Sequence, residues 1–546
     1  MRSGILPAAP QCAGFAGRSR ICPPAPQCVE RVCSCAITGT TRAKSIAIVL
    51  IPELYHPQYP MPSIKFLEKW HFTPIFLLEK WHFRGTFSLE KWHLILINML
   101  KRKIDKHIQN FYKGTRKALL ITGARQIGKT YSIRQFGTHF KSFIEVNFVE
   151  MPQAVEVFRS AGNSEEILLR LSALTGAPLI KNETLIFFDE VQLCPEIVTA
   201  IKFLVDEGSY RYILSGSLLG VELKDLRSEP VGYMGIQEMF PLDFEEFITN
   251  IGVKETVIDA LRKSWEELHE VDSVIHRKMM ELFRLYLVVG GMPAAVCSYV
   301  ETNNLQNVLQ AQQDILQLYK RDITQYDPNN KLHIEEIFNL IPPELNSANK
   351  RFVLKSLHDK ARMRSMENSF LWLQHAGVAL PVYNVEEPKM PLLLARSRNL
   401  FKLFQSDVGL LAAQYAEGIQ LRIIQGDADI NFGSVYENAV AQELVAHGLT
   451  PYYYNSKKRG ELDFVIEQNG QILPIEVKSG KDYTVHRALA NIMECGEYDL
   501  PKAIIFNNDN LQLVGKLVYA PIYMIMFLER RNDAPTYYKI DLSELG

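Results

Sequence analysis

Two short stretches carry residues in the order that phosphate chemistry requires. In Gly123-Ala124-Arg125-Gln126-Ile127-Gly128-Lys129-Thr130-Tyr131, the spacing Gly-x-x-x-x-Gly-Lys-Thr follows the apolar run Leu119, Leu120, Ile121 and leads into a helix-like segment ending near Phe136. Gly123 and Gly128 let the backbone turn so that its N–H groups face phosphate oxygens, and a helix that begins there aims its positive end at the same point. Lys129 is then placed to reach the β- and γ-phosphates of a nucleotide, and the Thr130 hydroxyl to hold Mg²⁺. The second stretch sets Asp189 and Glu190 after Leu185, Ile186, Phe187 and Phe188. Here Asp189 would hold the Mg²⁺ through its water shell and Glu190 would polarise the water that attacks the γ-phosphate. Apolar-then-acidic runs also end many strands without catalytic work. The phosphate loop upstream, with FIEVNF (Phe143 to Phe148) between as a strand of the additional-strand ATPase type, gives the pair its meaning. Ser217 closes the next apolar run, YRYILSGS, where a hydroxyl could sense the γ-phosphate or simply make a turn.

A third set lies near the other end of the chain. Glu461 and Asp463 stand two apart in ELDFVIE, and Glu476 and Lys478 two apart in PIEVKSG, on either side of Asn469-Gly470, a hairpin signal. Strand alternation puts these four on one face and Leu462, Phe464, Ile475 and Val477 on the other. The residues alone leave two outcomes open: convergence into a site, or a solvated cross-strand charge set.

The elements that must position these groups follow from periodicity. From Met99, MLKRKIDKHIQNFYKG places Leu100, Ile104, Ile108 and Phe111 on one helical face and Lys101, Arg102, Lys103 and Lys106 away from it, a basic face that is solvated or meets nucleic acid. Between Glu255 and Tyr326 the patterns are helical, broken at Gly290-Gly291. Residues 331–400 give three short helical patterns and then two strand-like runs, the order of a winged helix. In that setting Arg351, Lys355, Lys360, Arg362 and Arg364 form a basic patch for DNA, or the module merely packs between domains. Residues 1–98 differ from the rest. They carry Cys12, Cys22, Cys28, Cys33 and Cys35, and then LEKWH three times with Trp70, Trp81 and Trp92 at a period of 11. They are expected to be a spurious or disordered extension, with Met99 the real start.

Composition narrows the class. The 546 residues have room for several domains, and the formal net charge of −1 sets up no global field toward nucleic acid or membrane. Only Cys194, Cys297 and Cys495 fall after the first stretch, which suits a reducing compartment. No apolar run reaches a membrane span, so the expected location is cytoplasmic.

In combination, GARQIGKT, LIFFDEVQ, SGSLLG, FPLDFEEFI, YLVVGGMPAAV, LYKRDI and ELDFVIE with PIEVKSG make the chain similar, from about Met99 to its end, to bacterial and archaeal AAA-type ATPases. These relatives carry a C-terminal domain of unknown function related to PD-(D/E)xK nucleases. The resemblance implies an α/β P-loop core with a parallel sheet over 99–250, a helical lid over 251–330, a winged-helix-like module over 331–400, and a restriction-endonuclease-like α/β domain over 401–546. It favours ATP over GTP, with Mg²⁺. In a nuclease of this type Asp463 and Glu476 would bind a metal, Glu437 would complete the site, and Lys478 would orient or help deprotonate water. Many relatives carry Arg or Lys after the glycine corresponding to Gly232, where this chain has Tyr233, leaving Arg227 as a nearby substitute for a cis arginine. The expected function is ATP hydrolysis coupled to a nuclease-like half that acts on or binds DNA. The alternative is a nucleotide-gated switch with little turnover and an inactive nuclease-like fold.

Overall fold

The computed structural model describes residues 100–160, 162–217, 232–326, 331–347, 350–352, 363–427, 432–480, 483–530 and 540. The Cys-rich start, the LEKWH repeats, Met99, Arg227, Lys355, Lys360 and Arg362 lie outside the described residues.

The first sheet is built from runs whose alternate residues are apolar on both faces. Its strands are β1 (Ala118–Thr122), β2 (Ser142–Asn147), β3 (Thr184–Asp189), β4 (Arg211–Ser215) and β5 (Met234–Glu238), in the order β2-β3-β4-β1-β5. Every neighbouring pair is parallel. Leu119, Ile121, Leu185, Phe187 and Ile213 face one apolar cluster, while Leu120, Ile186, Phe188 and Leu214 face another, so the period of two in the sequence becomes two buried faces. The strand inserted between the P-loop strand and the acid-bearing strand is β4, not FIEVNF. FIEVNF forms β2 at the sheet edge, because a crossover returns the chain past β3 rather than between β1 and β3.

Helices flank this sheet: α1 (Lys103–Gly114), α2 (Lys129–Gly137), α3 (Ser164–Thr175) and α4 (Glu196–Glu207). A helical segment follows with α5 (Phe244–Asn250), α6 (Glu255–Glu267), α7 (Ser273–Val289), α8 (Pro293–Thr302) and the long α9 (Leu305–Tyr326). The break expected at Gly290-Gly291 is present and has a steric reason. Gly290 has φ 69°, and a Cβ there would lie 2.3 Å from Asp407 Oδ1. The Gly291 N–H donates to Asp407 Oδ2 at 2.6 Å, tying the end of α7 to a residue far along the chain.

After α10 (Lys331–Leu345) and α11 (Met363–His375), strands β6 (Ala379–Val385) and β7 (Arg396–Gln405) form an antiparallel pair. They are not a free wing. β6 pairs in parallel with β8 (Tyr452–Ser456), so the hairpin extends an eight-stranded sheet of order β12-β13-β11-β10-β9-β8-β6-β7. The other strands are β9 (Gly460–Gln468), β10 (Gln471–Val477), β11 (Ala503–Asn507), β12 (Gln512–Val514) and β13 (Leu517–Pro521), with α12 (Gly433–Ala446) against them. A boundary at residue 400 falls inside β7. The β9–β10 turn is as the sequence predicts: Asn469 (φ 53°) and Gly470 (φ 69°) are both left-handed, which suits a two-residue hairpin loop. Among the described residues no helix is long and apolar enough to cross a membrane.

Candidate functional site

The P-loop bends where its glycines allow. Gly123 has φ 130° and a Cβ on it would meet the Met239 carbonyl at 2.2 Å, while Gly128 has φ 93° at the start of α2. Lys129 is buried, and its Nζ donates to the carbonyls of Gly123 at 2.9 Å and Ala124 at 2.7 Å. Burial pushes its ammonium down to about 8, against the opposing pull of Glu190 and Asp189. A phosphate in the loop would add to the pull of Glu190 and Asp189 and favour the charged form of this lysine against its burial.

Thr130 and Asp189, the pair expected to hold Mg²⁺, touch each other. Thr130 Oγ1 donates to Asp189 Oδ2 at 3.0 Å, joining the start of α2 to the end of β3. Asp189 also accepts from Asn147 Nδ2 at 3.2 Å and from the Ser215 hydroxyl. Burial raises the Asp189 carboxyl above its usual value, and the hydrogen bonds from Ser215 and Thr130 oppose that rise. The Thr130 hydroxyl and the Asp189 carboxylate are oxygen donors of the kind that suits Mg²⁺, while Asn147 turns its amide nitrogen to Asp189 and its oxygen to the Val149 and Glu150 N–H groups, and so steadies the carboxylate.

Glu190 occupies the left-handed region at φ 56°, a conformation that costs a non-glycine residue about 1–2 kcal/mol. Its Oε2 accepts from Gln192 Nε2 at 2.6 Å and from the Ser217 hydroxyl at 3.3 Å. Ser217 therefore contacts the glutamate. Ser215, Asn147 and Gln192 are residues the sequence did not single out: each is a polar residue next to a strand end, distinguishable from a turn residue only once the sheet order is known.

Arg102 also grips the loop. Arg102, expected on a solvated or nucleic-acid face, is instead 9% exposed; its Nη1 donates to the Ile127 carbonyl at 2.8 Å and its Nε to Glu246 at 3.2 Å. Lys103 pairs with Asp243 at 2.8 Å and Glu245 at 2.7 Å. Arg102 and Lys103 are thus paired with the acids of FPLDFEEFI, whereas Lys101 and Lys106 of the same basic side are exposed. Arg125, inside the loop, donates from Nε to the Ser217 hydroxyl at 3.3 Å and from Nη1 to Asp322 at 2.6 Å. Tyr233 holds no arginine role and lies beneath Lys202, whose Nζ is 5.4 Å from its ring centroid.

The C-terminal carboxylates do converge, but with lysines among them. Lys402 of β7 is wholly buried and pairs with Glu461 at 2.8 Å and Glu437 at 3.6 Å. Lys350 pairs with Glu437, and Arg351 with Glu461 at 3.5 Å. Asp463 Oδ2 accepts the Val477 N–H at 2.9 Å, and Lys478 reaches Glu476 at 3.3 Å. Burial pushes Glu476 well above the carboxylate range, with the Asp463 charge adding to it. Asp463 moves the other way: burial would raise it, but Lys402 and Lys350 hold it below its ordinary value. Among the described residues no group of three His, Cys, Asp or Glu side chains is placed to hold a metal ion. Glu437, Asp463 and Glu476 thus do not form the expected metal centre. The counter-charge comes from Lys402 and Lys350, which the motif did not include. Arg351, expected toward DNA, is turned onto this cluster, its guanidinium 6.0 Å from the Tyr453 ring centroid.

Residues 115–248 match the model of the AAA domain family. Residues 280–420 and 432–524 match two domains of unknown function, DUF8612 and DUF4143. No curated relative matches the chain. Among solved structures, the Walker-type ATPase PABY2304 of Pyrococcus abyssi shares 13% identity, with 58% of this chain and 95% of that one covered at a TM-score of 0.34. The Aeropyrum pernix ORC1 protein in complex with DNA shares 12%, with 62% and 92% covered at a TM-score of 0.24. PCH-2 of C. elegans shares 14%, with 41% and 67% covered at a TM-score of 0.20. None of the three superposes closely enough to carry an argument about function.

Proposed function

We propose that the chain binds ATP with Mg²⁺ and hydrolyses it. The observation that carries this reading is the meeting of Thr130 and Asp189 at 3.0 Å, with Glu190 one residue further along and steadied by Gln192 and Ser217. In this reading the backbone N–H groups from Gly123 to Tyr131 cradle the phosphates, and Lys129 gives up its carbonyl partners to reach the β- and γ-oxygens. Thr130 and Asp189 would hold the Mg²⁺, whose charge offsets that of the phosphates. Glu190 accepts a hydrogen bond from the attacking water while Ser217 and Gln192 keep its carboxylate in place. ATP is preferred over GTP on the resemblance of the motifs alone. The test is phosphate release by the purified chain, with Glu190→Gln as the control: turnover in the wild type and its loss in the variant support the reading.

A second reading concerns the C-terminal half. The lysine pairing of Glu437 and Glu461, with the same lysine charges acting on Asp463, favours a nuclease-like fold that binds a partner and is moved by the nucleotide, over one that cuts. DNA as that partner, and the C-terminal half as its receiver, rest on the resemblance. The test is whether DNA stimulates ATP hydrolysis and whether Mn²⁺ with DNA gives nicked product. Stimulation without nicking supports a binding half, and nicking by the wild type that is lost in Asp463→Ala supports a nuclease.

A further inference from the structure

The lid helix α9 meets the P-loop at Arg125, through both its backbone and its side chain. Tyr319 donates its hydroxyl to the Arg125 carbonyl at 3.1 Å, and Asp322, one turn later, accepts from the Arg125 guanidinium at 2.6 Å. Neither partner is a loose surface group: Tyr319 and Asp322 are 2% and 5% exposed. The same guanidinium donates to Ser217, whose hydroxyl donates on to Glu190. Asp322, Arg125, Ser217 and Glu190 thus form one unbroken line from the lid to the catalytic glutamate. A small cavity beside it is lined by Arg125, Tyr319, Asp322, Trp372, Ala376 and Val378, so residues just before β6 stand behind the arginine. Gly377 seals the contact from that side, since a Cβ there would lie 3.0 Å from the Ala124 nitrogen.

We propose that Asp322 is a positioning residue for ATP hydrolysis, acting through Arg125. Arg125 lies among three oxygen groups and carries one charge to share. Asp322 and Glu190 are close enough to interact electrostatically, since the Glu190 charge is one of the influences that raise the Asp322 carboxyl, after burial and against Arg125. When Asp322 holds the guanidinium, Arg125 touches Ser217 without closing on Glu190, and Glu190 stays available to the attacking water. When the lid withdraws Asp322, Arg125 is free to pair with Glu190 itself and block it. The position of α9, and through it of the C-terminal half, is thereby made a condition for hydrolysis rather than for nucleotide binding. This inference rests on the ATPase reading above.

The experiment is a double-mutant cycle on the full chain, reading kcat, KM and the affinity for a fluorescent ATP analogue. Asp322→Asn keeps the shape and removes the charge. It is expected to lower kcat about tenfold or more, with analogue affinity within about threefold of wild type, and Asp322→Glu is expected to recover part of the loss. In an Arg125→Ala background, Asp322→Asn should have no further effect, because the arginine through which it acts is gone. Turnover of Asp322→Asn within about twofold of wild type overturns the proposal, and so does a loss that is undiminished in the Arg125→Ala background. If the wild type itself releases no phosphate, the ATPase reading and this inference fall together; if it turns over normally, only the inference is at stake.

Discussion

At the scale of single residues, the candidate phosphate site is legible because the chemistry proposed for it is local in sequence. Gly123, Gly128, Lys129 and Thr130 lie within one turn of chain, and Asp189 and Glu190 are adjacent, so a motif can carry them. Lys129→Ala is therefore expected to weaken nucleotide binding, while Glu190→Gln should keep binding and lower hydrolysis by roughly 10²-fold. Equilibrium titration with a fluorescent nucleotide, set beside phosphate release, separates the two; equal loss of binding in both would make Glu190 structural. Lys402 was not legible, because nothing in its local sequence marks a lysine bound for a buried carboxylate cluster. It contacts Glu437 and Glu461 from a different strand. Removing one partner of a buried ion pair typically costs about 3–5 kcal/mol, because the other charge is left without compensation. Lys402→Met is expected to destabilise the chain by an amount of that order in urea denaturation. Conversely, with the P-loop silenced by Lys129→Ala, Mg²⁺, Mn²⁺ and EDTA should give the same melting temperature. A clear rise with Mn²⁺ would return the carboxylates to the role of a metal site.

At the scale of elements, alternation and helical period identified the strands and most helices, but not what covers them. Arg102 and Lys103 looked solvated because the acids they meet, Asp243, Glu245 and Glu246, are far away in sequence. The β6–β7 pair looked like a wing because its parallel partner β8 is separated from it by intervening helices. The same long-range logic builds a buried polar junction between α5 and α12. Glu443 accepts from the Phe244 N–H at 2.9 Å and from the Tyr286 hydroxyl at 2.9 Å. His447 donates from Nδ1 to the Leu528 carbonyl at 3.1 Å and stands 3.5 Å from Asp243 and 3.6 Å from Glu443. Lys103, Arg102 and Glu246 complete the charges around it. Burial pushes Glu443 up to about 7. His447 is also raised, since Asp243 and Glu443 outweigh the burial that would lower it. Both groups bind protons more tightly folded than unfolded, so the Glu443 contribution is full below its ordinary value of 4.5 and is lost as the pH rises to about 7, and the His447 contribution is lost on the alkaline side of its ordinary value. Asp243, held far below its usual value by Lys103 and His447 against burial, contributes in the opposite sense and only in strong acid. Urea denaturation between about pH 5.5 and about pH 8 should thus show stability falling with pH, with a shallower slope in Glu443→Gln. Parallel slopes in the two proteins would show that Glu443 does not titrate in this window.

At the scale of the whole molecule, the sequence suggests successive domains, and the family matches likewise divide the chain, yet the core is shared. One apolar cluster runs from Leu119 and Phe187 of the ATPase sheet, through Phe283 and Tyr286 of α7, to Phe404, Phe464 and Phe506 of the eight-stranded sheet. Sequence shows where each element begins, but it does not show that the apolar stripe left over on one unit is covered by the next, because that depends on surfaces and not on neighbours in the chain. The consequence can be measured. Units that bury their apolar surface against one another lose it together on unfolding, so the region from residue 100 onward is expected to melt in one calorimetric transition, with van't Hoff and calorimetric enthalpies close to each other. The region 432–530 taken alone loses β6 and β7 from its sheet, the counter-ions Lys350 and Lys402 from its carboxylates, and the α7 side chains from its apolar face. Each loss is of a kind that costs several kcal/mol, while the net stability of a domain is only about 5–15 kcal/mol. That fragment is expected to show no cooperative transition in circular dichroism, whereas extending it back to residue 331 restores the strands and the lysines and should restore part of the transition. A sharp, independent melt of 432–530 would mean that its half of the core closes on itself, and that the junction with the ATPase domain is a docking surface rather than a common interior.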